Sequence, residues 1–196
     1  MKPTAIVVYN FAVTPEEVKL NSAALHRIRV KASGSEGDEK TKLAQKVVED
    51  FSESLIKDLQ KTGLPVSRAA VGEVAPDNSL AVQGDFQTID EGNRTRRMAI
   101  GLGAGASKVE AHVECYIKQA AKNVMVTEFT AIAKSSRKPG AAETMGAGAA
   151  PEAAAAVGGV TELKQGAEGD TNRMAKAVAK EINKILTSQG WVEGSK

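Results

Sequence analysis

From Val109 to Ile117 the chain alternates without a break. Val109, Ala111, Val113, Cys115 and Ile117 are apolar or weakly polar, and Lys108, Glu110, His112, Glu114, Tyr116 and Lys118 stand between and beside them. Successive side chains of a strand point to opposite faces, so this spacing predicts a sheet with one buried and one wet face. Ala121-Lys122-Asn123 is a short turn into a second strand, Val124 to Ala133, which makes the pair an antiparallel hairpin. After the turn Pro76-Asp77-Asn78, Leu80 to Ile89 predicts another strand. Val82, Gly84, Phe86 and Thr88 are expected on one side, and Gln83, Asp85 and Gln87 on the other. Ala5 to Phe11, bounded by Pro3 and Pro15, reads as a buried strand, and Pro65 to Ala70 as a short one.

The period lengthens between these strands. Leu43, Val47, Val48, Phe51, Leu55 and Leu59 recur every three to four residues among Lys42, Lys46, Glu49, Asp50, Lys57 and Asp58, which predicts an amphipathic helix over Lys40–Thr62. Asp38 is placed to cap its start, after the loop Ser33-Gly34-Ser35-Glu36-Gly37, and Gly63 to close its end. A strand, this helix and the Pro65–Ala70 strand would form a right-handed parallel crossover. A second helix is predicted over Thr171–Ser188, with Met174, Ala175, Val178, Ile182, Ile185 and Leu186 on its apolar side. Ser22 to Val30 fits either a short helix or an extended arm. Lys138 to Gly169 has few bulky side chains and is long for a connection. Alone it would not offset its ordering entropy, so it would be ordered only against its own domain or a neighbouring subunit. Glu143, Glu152, Glu162 and Lys164 interrupt any membrane-spanning reading of it.

Together these elements predict one α+β domain over residues 1–196, with a Gly/Ala-rich insert at 138–169. Its mixed, mainly antiparallel sheet has about five strands, faced on one side by the two long helices. Composition narrows the function. The 26 basic and 24 acidic side chains leave a formal charge of only +2, and aromatics make up 4% of the chain. That balance argues against nucleic acid, which needs a basic footprint and stacking platforms. No apolar run reaches the ~18 residues of a transmembrane helix. The lone cysteine, Cys115, excludes an intramolecular disulfide and sits among core-facing residues, as a small buried hydrophobe.

Candidate chemistry concentrates between Asp90 and Ser107. Asp90-Glu91-Gly92 precedes Arg94, Arg96 and Arg97, so the turn could bind a carboxylate or phosphate, or pair its own charges in an arginine fork to Asp90 or Glu91. Gly101, Gly103 and Gly105 suggest a phosphate cradle. A dinucleotide fingerprint, however, needs a third glycine at fixed spacing and then a helix, and a Walker loop needs a closing Gly-Lys-Ser/Thr. A strand follows here, which favours close backbone approach or a subunit contact. No serine stands in a nucleophile elbow, and no base is visible near Cys115. His26 and His112 lack a cysteine or carboxylate at metal-ligand spacing, so His112 is expected to be solvated and no metal or cofactor is expected.

The run Gly84-Asp85-Phe86…Asp90-Glu91-Gly92-Asn93-Arg94…Arg97…Ile100-Gly101-Leu102-Gly103-Ala104-Gly105 resembles the core motif of a bacterial family, domain of unknown function 4410, which reads G-x-F-x-x-x-D-E-G-x-R-x-x-R-x-x-I-G-x-G-A-G. Ser136-Arg137-Lys138-Pro139-Gly140 is similar to its S-x-R-x-P-G element, and the helix ending in Gly63-Leu64-Pro65 and the C-terminal helix closing on Gly190-Trp191 fall where the family has them. Members usually begin with a signal peptide or a lipobox cysteine, neither of which this sequence carries. The resemblance therefore implies a mature or trimmed protein of the periplasm or outer membrane, peripheral or lipid-anchored in its precursor, with a cytoplasmic protein as the alternative. The reading that follows is a non-enzymatic envelope protein that forms a homo-oligomer or scaffolds a partner. Asp90, Glu91, Arg94, Arg96, Arg97, Gly101, Gly103, Gly105 and Arg137 are its candidate ligand or interface residues. The alternative is a small-ligand or nucleotide-binding enzyme built on the Gly101–Lys108 loop and the Arg94–Arg97 cluster.

Overall fold

A computed structural model describes residues 2–21, 25, 35–93, 105–120, 122–135 and 167–193, and the backbone of 142–146. Among these described residues, seven strands and two long helices make up the architecture. The strands are β1 (Ala5–Tyr9), β2 (Val18–Lys19), β3 (Val66–Ala69), β4 (Ser79–Asp90), β5 (Lys108–Lys118), β6 (Asn123–Lys134) and β7 (Ala142–Gly146). The helices are α1 (Glu36–Leu59) and α2 (Ala167–Ser188). The strands join in one sheet in the order β3-β1-β4-β5-β6-β7, with β2 pairing alongside β4. The pairs of β1 with β3 and β4, and of β2 with β4, are parallel, while β4, β5, β6 and β7 pair antiparallel in succession. The fold is thus α+β with a mixed, mainly antiparallel sheet, larger than the expected count by the two-residue β2 and by β7.

The alternation in β5 does what its spacing predicts. Val109, Ala111, Val113, Cys115 and Ile117 are buried, and the residues between them are half-exposed. Beneath the helices, Phe11, Phe51 and Phe86 meet with ring centroids 4.7, 5.4 and 5.9 Å apart, all tilted or edge-on. That arrangement suits the ring quadrupoles and adds to the apolar burial. Gly84 makes room for it. A Cβ at that position would lie 2.6 Å from Phe11 Cε1 and 2.0 Å from the His112 carbonyl oxygen.

Several boundaries shift for physical reasons. In β4 the register slips between Phe86 and Thr88, so Ile89 pairs with Val109 and is fully buried, while Thr88 pairs with Glu110 on the polar side. A bulge at Gln87 reverses the parity, and Thr88 does not face the core as its spacing suggested. Helix α1 begins four residues earlier than expected. Ser35 is its N-cap, and Asp38 completes the capping box by accepting from the Ser35 backbone N–H at 3.0 Å. Gln60–Thr62 tightens into a 3₁₀ turn before Gly63, whose φ of +80° closes the helix. Helix α2 starts at Ala167 instead of Thr171, which brings Asp170 into its first turn. Within the Gly/Ala-rich insert, β7 pairs with β6 of the same chain, so those five residues complete the domain's own sheet. Ser22–Val30, apart from Leu25, and the rest of the insert up to Gly166 lie outside the described residues.

Candidate functional site

The described part of the motif converges where β4 ends, β5 begins, β6 ends and α2 starts. Three chain segments dock there through their backbones. Gly92 N–H donates to Asp90 Oδ1 at 2.7 Å, which folds the chain sharply after β4. Asn93 N–H donates to the Gly105 carbonyl at 2.9 Å, and Ser135 N–H to the Ser107 carbonyl at 3.1 Å. Gly92 has a φ of +69°, and a Cβ there would lie 2.5 Å from the Gly105 oxygen and 2.6 Å from the Ser107 nitrogen. Only glycine meets both the left-handed backbone and the close approach.

Side chains complete the junction. Ser107 Oγ lies 2.6 Å from Ser135 Oγ and donates to Asp170 Oδ2 at 2.5 Å, while Ser107 N–H donates to Ser135 Oγ at 3.0 Å. Arg173, one turn along α2, ion-pairs with the other Asp170 oxygen. Ser107 and Asp170 are wholly buried. A buried carboxylate is tolerated when paired and hydrogen-bonded, and Asp170 is both. The constellation thus fastens the first turn of α2 to the ends of two strands. Sequence reasoning missed Asp170 and Ser135, because 63 and 28 residues separate them from Ser107 and no local pattern marks the contact.

The candidate residues fall into two groups. Asp90 accepts from the Gly92 backbone, and Glu91 Oε2 accepts from Asn21 N–H at 3.0 Å and from Asn21 Nδ2 at 2.8 Å. Glu91 thereby clamps the segment after β2, whose Lys19 carbonyl accepts from Glu91 N–H. Gly105 takes a left-handed φ of +76°. Arg94, Arg96, Arg97, Gly101, Gly103 and Arg137 lie outside the described residues, and the expected arginine fork lies there with them.

Two other expected features have definite places. Cys115 is buried, and burial, reinforced by the negative charge of Glu114, pushes its thiol up to about 12. It stays protonated and unreactive at neutral pH. His112 is not simply solvated as its place in the sequence suggested, since its Nε2 lies 2.8 Å from Glu128 Oε1 and its Nδ1 3.5 Å from Asp85 Oδ1. A hollow beneath Trp191, lined by Leu80, Cys115, Val126, Ile182 and Leu186, is apolar and has no room for a water molecule.

These features define an α+β domain whose motif closes the fold at one end of the sheet. A family model described as a domain of unknown function (DUF4410) matches residues 6–151, and the chain belongs to that family. The match takes in α1 and every strand apart from Ala5 at the start of β1, and ends before α2. No curated protein matches the chain. Among solved structures, it is similar to protein XCC0632 from Xanthomonas campestris, matched by the family model DUF330. The identity is 10%, the alignment covers 96% of this chain and 90% of that one, and the TM-score is 0.39. Among the described residues no helix is long and apolar enough to cross a membrane.

Proposed function

We propose that this protein is a non-enzymatic structural or interaction protein of the bacterial envelope, periplasmic or associated with the outer membrane, and that it self-associates. The observation that carries the non-enzymatic reading is the junction itself. Asp90, Glu91, Ser107, Ser135 and Asp170 all direct their polar atoms into bonds that hold turn, strands and helix together. A catalytic group must instead reach a substrate proton or reacting atom. Ser107 bonds inward to Asp170, and Lys108 ion-pairs with Glu110. Those are the two polar side chains that a phosphate cradle ending at Lys108 would use, which weakens the nucleotide-binding alternative. Envelope placement is supported by the motif's resemblance to a family whose members usually begin with a signal peptide or a lipobox cysteine.

Self-association is supported by the β3 end of the sheet. There, among the described residues, a four-residue edge strand runs into a loop carrying Val71 and Val74, the most exposed large apolar side chains of that set, at 76% and 84%. An unpaired strand edge beside apolar side chains is a surface that a second chain can cover. Size-exclusion chromatography with light scattering over a concentration series tests this reading. The expected result is a mass that rises to a multiple of the chain, and that returns to the monomer when Val71 and Val74 are both changed to Asp with circular dichroism unchanged. A wild-type chain that stays monomeric throughout would overturn self-association. Saturable nucleotide binding lost on Lys108→Ala would favour the enzyme reading instead.

A further inference from the structure

The polar face of the sheet, away from both helices, carries a group of side chains that the junction does not use. Glu114 on β5 and Glu128 on β6 are direct cross-strand partners, and His112 stands two residues before Glu114 on the same face. One ligand atom from each of His112, Glu114 and Glu128 falls within 4.8 Å of the other two. Like charges placed directly opposite are unfavourable in an antiparallel pair. Among the described residues neither glutamate has a Lys or Arg partner, and Asp85 adds a third carboxylate on the other side of the imidazole. Even a protonated His112 would leave this group net negative.

We propose that His112, Glu114 and Glu128 bind a divalent cation of the zinc class, with Asp85 holding the imidazole in position. One nitrogen and two carboxylate oxygens suit a borderline ion better than Mg²⁺ or Ca²⁺, which take oxygen ligands. His112 Nε2 already faces Glu128, while Nδ1 faces Asp85. The second nitrogen of a metal-bound histidine commonly donates to a carboxylate, which fixes both tautomer and ring orientation. Glu114 is steadied in turn by Gln83 Nε2, which donates to its Oε2 at 2.9 Å. Bonds of 2.0–2.2 Å in a tetrahedron place ligand atoms roughly 3.3 Å apart. The carboxylates must therefore close inward, by a movement within the rotation of two glutamate side chains. The side chains of His112 and Glu128 keep 23% and 40% of their surface in solvent. An ion can enter directly, and water completes its coordination.

Isothermal titration of zinc chloride into the purified, chelator-treated full chain tests the site. The expected result is one saturable site that is abolished in His112→Ala, weakened in Glu114→Gln and Glu128→Gln, and kept in His26→Ala. Asp85→Asn should weaken binding by about 10–100-fold, the range for removing the partner of a liganding histidine. An excess of magnesium should not compete. The thermal midpoint of each variant in EDTA, compared with wild type in EDTA, separates loss of ligand from loss of fold. If His112→Ala fails to fold, the ring-nitrogen NMR signals of His112 in the wild-type chain decide, because they must move on zinc addition. Absence of saturable binding at a large excess of zinc, unmoved ring signals, or binding that survives His112→Ala or depends on His26 overturns the proposal.

Discussion

Strand β5 has two faces one residue apart, and they follow opposite rules. On the helix side Cys115 is 1% exposed among aliphatic neighbours, and its ionisable thiol is driven out of reach of neutral pH. On the polar side His112 and Glu114 stay partly exposed and bond across the sheet to Glu128 and Gln83. The backbone is the same, so parity alone decides whether a side chain packs or carries chemistry. The helix face is where large energies lie. The polar face is where a ligand could be held at little cost to the fold.

The sharpest break of that contrast is Phe51→Ala. Phe51 is fully buried and touches Phe11 and Phe86, so its loss should destabilise the chain by about 3–5 kcal/mol, the range for deleting a buried aromatic. His112→Ala on the opposite face should fall within about 0.5 kcal/mol, as surface changes usually do. Denaturant midpoints for the two variants check the difference. Equal shifts would mean that the polar face supports the fold as much as the core does.

What could be read from the sequence follows how local each cause is. The β5–β6 hairpin and the α1 face were legible because alternation and a three-to-four repeat are complete within a single element. The Gln87 bulge was not, because Phe86-Gln87-Thr88-Ile89 alternates acceptably until the partner strand aligns Ile89 with Val109. Ser35 and Asp38 at the start of α1 show the opposite case. Their three-residue spacing is the capping-box signature and marks the helix start within the sequence, whereas Asp38 as the sole cap sets that start too late. The grouping of His112 with Glu128 needs the hairpin register, which the turn could have supplied. The bond from Ser107 to Asp170 spans 63 residues and leaves no local trace. Strand β7 was hidden because its five residues, Ala142-Glu143-Thr144-Met145-Gly146, include a single large apolar side chain, too few to read an alternation from.

The junction lies between the two faces in character, since it is buried yet polar. Removing its carboxylate should cost less than removing Phe51. Asp170→Ala would leave the Ser107 hydroxyl without its acceptor and Arg173 without its partner. Breaking a buried charge pair costs about 3–5 kcal/mol. The lower end, about 3 kcal/mol, applies here, since Arg173 keeps 25% of its side chain exposed and can recover hydration. Thermal unfolding measures the loss, and hydrogen exchange places it. The first turn of α2 should exchange faster in the variant while the β5–β6 hairpin stays protected. If the loss spread evenly over both, the junction would be part of the general core and not a local fastening.

The smallest effect belongs to the rim, where α1 meets the edge strand β3. Arg68 donates from both terminal nitrogens to the two Glu49 oxygens at 2.7 Å each, and its Nε donates to Asn10 Oδ1 at 2.6 Å. The bond to Arg68, aided by its charge, holds the Glu49 carboxyl below the ordinary value of 4.5. A carboxylate whose pKa falls on folding stabilises the folded state above its unfolded value and loses that contribution as the pH falls through the lowered one. Any gain is therefore present at neutral pH and disappears on acidification below the ordinary glutamate range. With Glu49 half-exposed, the pair orients side chains more than it stabilises the fold. A ¹³C NMR titration of the Glu49 carboxyl should give a depressed midpoint in the wild type and an ordinary one in Arg68→Ala. Arg68→Lys should give a value between them, because one ammonium cannot match the two-pronged contact of a guanidinium. An ordinary midpoint in the wild type would show that the two side chains are not held together in solution, and that the β3 edge is bound to α1 by its apolar contacts alone.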